Sequence, residues 1–113
     1  MKGKIRLSNS AAIKMSELIA EYASDYINLG ETTEERQSFL NGACTAWNIA
    51  NLPDHLRETA LQQAAQSYGE MNPGVDVESY LDDMRILIQK KLQMFPNTRK
   101  TIVNAFIEPI SFV

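Results

Sequence analysis

Apolar side chains recur at steps of three and four along most of this chain, the period of a helix with one buried face. Met15, Leu18, Ile19, Tyr22, Tyr26 and Leu29 form the first stripe, with Lys14, Glu17, Glu21, Asp25 and Asn28 on the other side. Ser8, Asn9 and Ser10 are all good N-caps ahead of it, and Gly30 sits where a C-terminal cap belongs. Thr32-Thr33-Glu34-Glu35 reads as a capping box that opens a second helix. The stripe of that helix is Phe39, Leu40, Ala43, Cys44, Trp47 and Ala50. Pro53 opens a third, with Leu56, Ala60, Leu61, Ala64, Ala65 and Tyr68 on one side. Pro73-Gly74 is a turn, and Asp76 caps a fourth helix.

The fourth stripe is wide: Val77, Tyr80, Leu81, Met84, Leu87, Ile88, Leu92 and Phe95, with Ile86 partly off it. Glu78, Asp82 and Asp83 near its start and Lys90 and Lys91 near its end suit the helix dipole. Pro96 stops it. Asn97 or Thr98 then caps a shorter fifth helix bearing Ile102, Val103, Phe106 and Ile107, which Pro109 ends.

The predicted architecture is therefore all-α, one domain over 1–113. It is a bundle of about five helices at approximately 10–29, 33–51, 54–70, 77–95 and 98–107. The predicted core comprises Phe39, Leu40, Cys44, Trp47, Leu61, Leu81, Met84 and Ile88. Residues 4–7 alternate over too short a run to separate an extended lead-in from a short strand. The apolar tail 110–113 docks, or pairs with 4–7 as a two-stranded ribbon.

Composition sharpens one part of this pattern. Charged residues make up 22% of the chain, yet residues 37–53 hold none. The second helix thus has an apolar face centred on Trp47 and an uncharged polar face of Gln37, Asn41, Thr45 and Asn48. Desolvating uncharged polar groups costs less than burying charges, so such a face suits a surface that is covered part of the time.

A length of 113 residues supports one hydrophobic core. Cys44 is the only cysteine, which excludes an internal disulfide and a cysteine-clustered zinc site. The basic start of the chain is broken by Lys14, Ser16 and Glu17 before any long apolar run, which argues against a signal peptide. No stretch reaches the roughly 20 apolar residues that span a bilayer. The expected setting is the cytoplasm.

The net charge of −3 hides a segregation. Residues 1–16 sum to +4, through Lys2, Lys4, Arg6 and Lys14. Residues 17–83 hold thirteen acids against Arg36 and Arg57, a net −11. Residues 84–113 hold Arg85, Lys90, Lys91, Arg99 and Lys100 against Glu108, a net +4. An acidic middle of this size steers association with a basic partner.

Glu17, Glu21 and Asp25 lie at i, i+4 and i+8, one ridge of the first helix. With carboxylates from a second helix (Glu78, Asp82 or Asp83) such a ridge could hold Mg²⁺ or Mn²⁺. A solvated face is the simpler reading. His55 has no nucleophile in view and reads as a surface residue of a first helical turn. Cys44 reads as a small buried residue. The basic ends could meet phosphates, but the chain is acidic overall, with pI ≈ 5.1, and carries no nucleic-acid motif.

No cofactor is implied. The function expected is that of a small non-enzymatic protein-binding domain: an immunity- or antitoxin-like inhibitor, an adaptor or a regulatory subunit. Its expected partner-binding residues are Gln37, Asn41, Thr45 and Asn48, or Glu17, Glu21 and Asp25. The alternative is a metal-dependent nucleotide- or nucleic-acid-processing protein that uses the acids of the first helix. Homodimerisation through the fourth helix, including Ile86, or through the polar face of the second is a further expectation.

Overall fold

The computed structural model describes residues 4–7, 12–98, 102 and 105–108, with side chains described at 17–98 and 102. Four helices carry most of the chain: α1 (Ala12–Ile27), α2 (Thr33–Ala50), α3 (Asp54–Met71) and α4 (Val77–Met94). Two short strands flank them in sequence, β1 (Lys4–Leu7) and β2 (Ala105–Glu108). The helical class stands, with four helices where about five were expected. No helix among the described residues is long and apolar enough to cross a membrane.

The difference lies at the end of the chain. Ala105–Glu108 is strand, so a fifth helix does not extend over 98–107. Periodicity over so few residues cannot separate the two states. Ile102, Val103, Phe106 and Ile107 fit helical rows, but β-branched and aromatic residues also favour a strand. The backbone is decided by pairing. β1 and β2 run antiparallel with Lys4 opposite Glu108, Ile5 opposite Ile107, Arg6 opposite Phe106 and Leu7 opposite Ala105. The ribbon uses residues 105–108 rather than the tail 110–113, which lies outside the described residues, as do the Ser8–Ser10 caps.

The chain divides into two compact units, with the boundary inside α2 between Cys44 and Thr45. The first holds 1–44 and 102–113. Within it α1 packs on β1. Ile19, Tyr22, Ala23, Ile27, Leu40, Ala43, Cys44 and Ile102 are buried there. Phe39, expected in the core, is half-buried and rests on Tyr26, ring centroids 4.9 Å apart.

The second unit holds 45–101, where α3 packs on α4. Its core is Trp47, Leu61, Ala65, Leu81, Met84, Leu87 and Ile88 with the small residues of the last turns of α2. Tyr68 and Tyr80 stack between α3 and α4 at 4.2 Å and 12°. Asp76 caps α4 as expected, accepting from the backbone N–H groups of Glu78 and Ser79 and from the Ser79 hydroxyl. Pro53 stands at the N-cap of α3, one position before the helix proper.

Candidate protein interface on α1 and the α1–α2 turn

The acidic ridge of α1 follows from its register. Ile19, Tyr22, Ala23 and Ile27 take the buried side, which leaves Glu17, Glu21 and Asp25 exposed on the opposite one. Among the described residues no hydrogen bond or ion pair engages any of the three. From residue 17 to residue 35 the chain carries six acids and no base.

The next four-residue step beyond Asp25 reaches Leu29, just past the last turn of α1. Helical period assigned Leu29 to the buried stripe. It is instead 70% exposed, because the helix ends at Ile27 and the backbone tightens. The Leu29 and Gly30 amides donate to the carbonyls of Tyr26 and Ile27, three residues back. That turn leaves Leu29 in solvent, and in sequence it is flanked by Asp25 before it and Glu31 and Glu34 after it, all exposed.

The turn is held from the α2 side. The Thr32 hydroxyl accepts from the Glu35 amide, and the Glu35 carboxylate accepts from the amides of Thr32 and Glu31. This is the capping box read from the sequence, with one extra bond. Arg36 reaches back so that its Nη1 donates to the Gly30 carbonyl at 3.2 Å. Gly30 follows the end of α1 as the C-terminal cap reading expects, but without a left-handed backbone: among the described residues only Gly74 has a positive φ, 87°. Gly30 is required for space: a Cβ there would lie 2.8 Å from the Arg36 backbone nitrogen.

The amide face of α2 is less open. Gln37 is half-buried and donates through Nε2 to Asn41 Oδ1 at 2.8 Å. Asn41 is exposed, and Thr45 and Asn48 are half-buried. Each of the four is engaged by a neighbour. Of the two candidate faces, the acidic one is therefore the one that presents unengaged groups.

A second feature adds to the sequence reading. Lys91, read there as a base that suits the C-terminal end of the helix dipole, is 1% exposed. Its Nζ donates to Asn51 Oδ1 at 2.6 Å and to the Thr98 carbonyl at 2.7 Å, and stands 5.1 Å from the ring centroid of Trp47. A buried ammonium needs such partners to offset its lost hydration. The signal was present in the spacing. Leu81, Met84, Ile88 and Lys91 follow one another at steps of three, four and three, so the helix carries Lys91 to its buried side.

Cys44 and His55 are the other candidate groups. Cys44 is buried, and burial pushes its thiol up to about 12. Burial also raises the neighbouring Tyr22 phenol, with smaller contributions from Cys44 and Tyr26. His55 is exposed in the first turn of α3. Among the described residues no group of three or more His, Cys, Asp or Glu side chains is placed to hold a metal ion.

Glu58 sits on an exposed ladder of α3, where Gln62 and Arg85 both donate to it and hold its carboxyl below the usual range. Of the basic ends, Lys4 and Arg6 fall in β1, while Lys2, Arg99 and Lys100 lie outside the described residues.

No protein-family model matches this chain, and neither a curated protein nor a solved structure is significantly similar to it.

Proposed function

We propose that this protein is a non-enzymatic protein-binding domain that docks a basic partner on α1 and the α1–α2 turn. The observation that carries the reading is Leu29, 70% exposed at a turn braced by Arg36 and the capping box, with the exposed acids Asp25, Glu31 and Glu34 within five residues of it in sequence. An apolar anchor within a polar rim is the usual arrangement of an interface hot spot. A braced turn lowers the ordering cost of association. Glu17 and Glu21 extend the negative surface along α1 and steer approach rather than supply most of the affinity.

Within this class the charge suits an immunity- or antitoxin-like inhibitor of a basic protein, and equally an adaptor or regulatory subunit. The test is affinity capture from native extract with the wild-type chain and with Glu17→Lys/Glu21→Lys as baits. The wild type should recover a stoichiometric partner that salt releases, and the charge-reversed bait should recover less. Recovery of no partner by the wild type, or equal recovery by both baits, contradicts the reading.

A further inference from the structure

The outer face of α4 is exposed and carries charges of both signs. Leu81, Met84, Leu87, Ile88 and Lys91 turn inward, and α3 packs on α4. The opposite side is centred on Ile86, which is 66% exposed at the middle of the helix. Ser79, Asp82, Asp83, Gln89 and Gln93 surround it, all exposed, with Lys90 half-buried at its edge. Arg85 is drawn aside by Glu58, 2.9 Å away. Among the described residues no ion pair engages Asp82, Asp83 or Lys90.

The order of these charges along α4 is self-complementary. Both acids lie one turn before Ile86 and the base one turn after it. We infer that this face pairs with a second copy of itself, the two α4 helices antiparallel about a two-fold axis at Ile86. At 100° per residue Asp83 and Lys90 fall on the same side of Ile86, three residues before it and four after it, so their heights differ by only about 1.5 Å from a mirrored pair. An antiparallel copy therefore sets Asp83 beside Lys90 of the partner subunit, twice by symmetry. Asp82 meets Gln89 of the partner subunit, and Ser79 meets Gln93 of the partner subunit. The isoleucines meet each other at the axis. A parallel copy would instead stack acid on acid and base on base and align the helix dipoles. The contact is one helix wide, so it belongs to the weak, concentration-dependent class of interfaces.

Sedimentation velocity on the full chain over a concentration series tests this, with far-UV circular dichroism to confirm that each variant is folded. The wild type should pass from monomer to dimer, and Ile86→Glu should raise the dissociation constant at least about tenfold. Asp83→Lys and Lys90→Asp should each be monomeric alone, because each faces its own charge. Mixed in equal amounts they should form a heterodimer in which both pairs are attractive. A wild type that stays monomeric up to about 1 mM, an Ile86→Glu variant that dimerises equally well, or a mixture that stays monomeric overturns the inference.

Discussion

The ammonium of Lys91 lies over the indole of Trp47, 5.1 Å from the ring centroid, with both side chains buried in the same unit. Two of its N–H donors are directed at Asn51 Oδ1 and the Thr98 carbonyl, which ties the residues after α2 and after α4 to one amine. Lys91→Met keeps the apolar stem and removes the donors. It should cost about 2 kcal/mol, the penalty of leaving buried acceptors short of a donor. Lys91→Ala should cost more, since it also opens a cavity beside Trp47. Urea midpoints measure both. A Lys91→Met variant as stable as the wild type would show that the amine holds nothing in place.

Cys44 should be chemically silent in the native state. Burial raises its thiol to about 12, so almost no thiolate exists at neutral pH. A mild disulfide reagent should react slowly with the folded protein and rapidly in denaturant. Fast reaction without denaturant would mean that α2 opens locally far more often than its packing implies.

Cys44 and Tyr22 together set an alkaline limit. The folded-state values of Cys44 and Tyr22 are raised, so the folded chain keeps protons that the unfolded chain releases at high pH. Stability is therefore full below the ordinary thiol value of 9.0 and falls as pH rises from there toward about 12. The acid side runs oppositely. The Ser79 hydroxyl, then its amide, hold Asp76 below its ordinary 3.8, so its contribution is present above that value and lost as pH falls below it. Asp76→Asn keeps an acceptor for the cap and should be more stable than Asp76→Ala at pH 7. Thermal melts across the pH range give both slopes. A flat alkaline limb, or equal melts for the two cap variants, would contradict these assignments.

Gly30→Ala should destabilise by about 1–3 kcal/mol through overpacking rather than through backbone strain. Its new methyl would meet the Arg36 amide nitrogen, which is fixed by its own bond to the Thr32 carbonyl. Gly74→Ala meets nothing within 4 Å and should suffer only from its φ of 87°. Equal costs at the two sites, read from denaturant midpoints, would be inconsistent with this difference in cause.

Much of the helical skeleton was legible in the chain. Local chemistry fixed it: the Thr32–Glu35 box and the Asp76 cap start helices where expected, and the buried stripes fall on Leu40, Trp47, Leu61, Leu81, Met84 and Ile88. What was not legible depends on partners distant in sequence or on a single turn. Residues 105–108 became strand because Lys4–Leu7 pairs with them, which no local pattern encodes. Leu29 was placed on the apolar stripe of the first helix because its spacing is right, but the helix stops two residues earlier. Lys91 was read only as a charge suited to the helix C-terminus, although its spacing placed it among Leu81, Met84 and Ile88. The acids Glu17, Glu21 and Asp25 were placed correctly on an exposed ridge, since amphipathic period is sufficient for that.

The most direct measurement is the affinity of the recovered partner for the wild type and for Leu29→Ala, by calorimetry. Leu29 is solvent-exposed, so the substitution should leave the melting temperature unchanged. The expected result is a loss of at least about tenfold in affinity, as for an interface anchor. An affinity within about twofold of the wild type, with the fold intact, would place the docking surface elsewhere on the molecule.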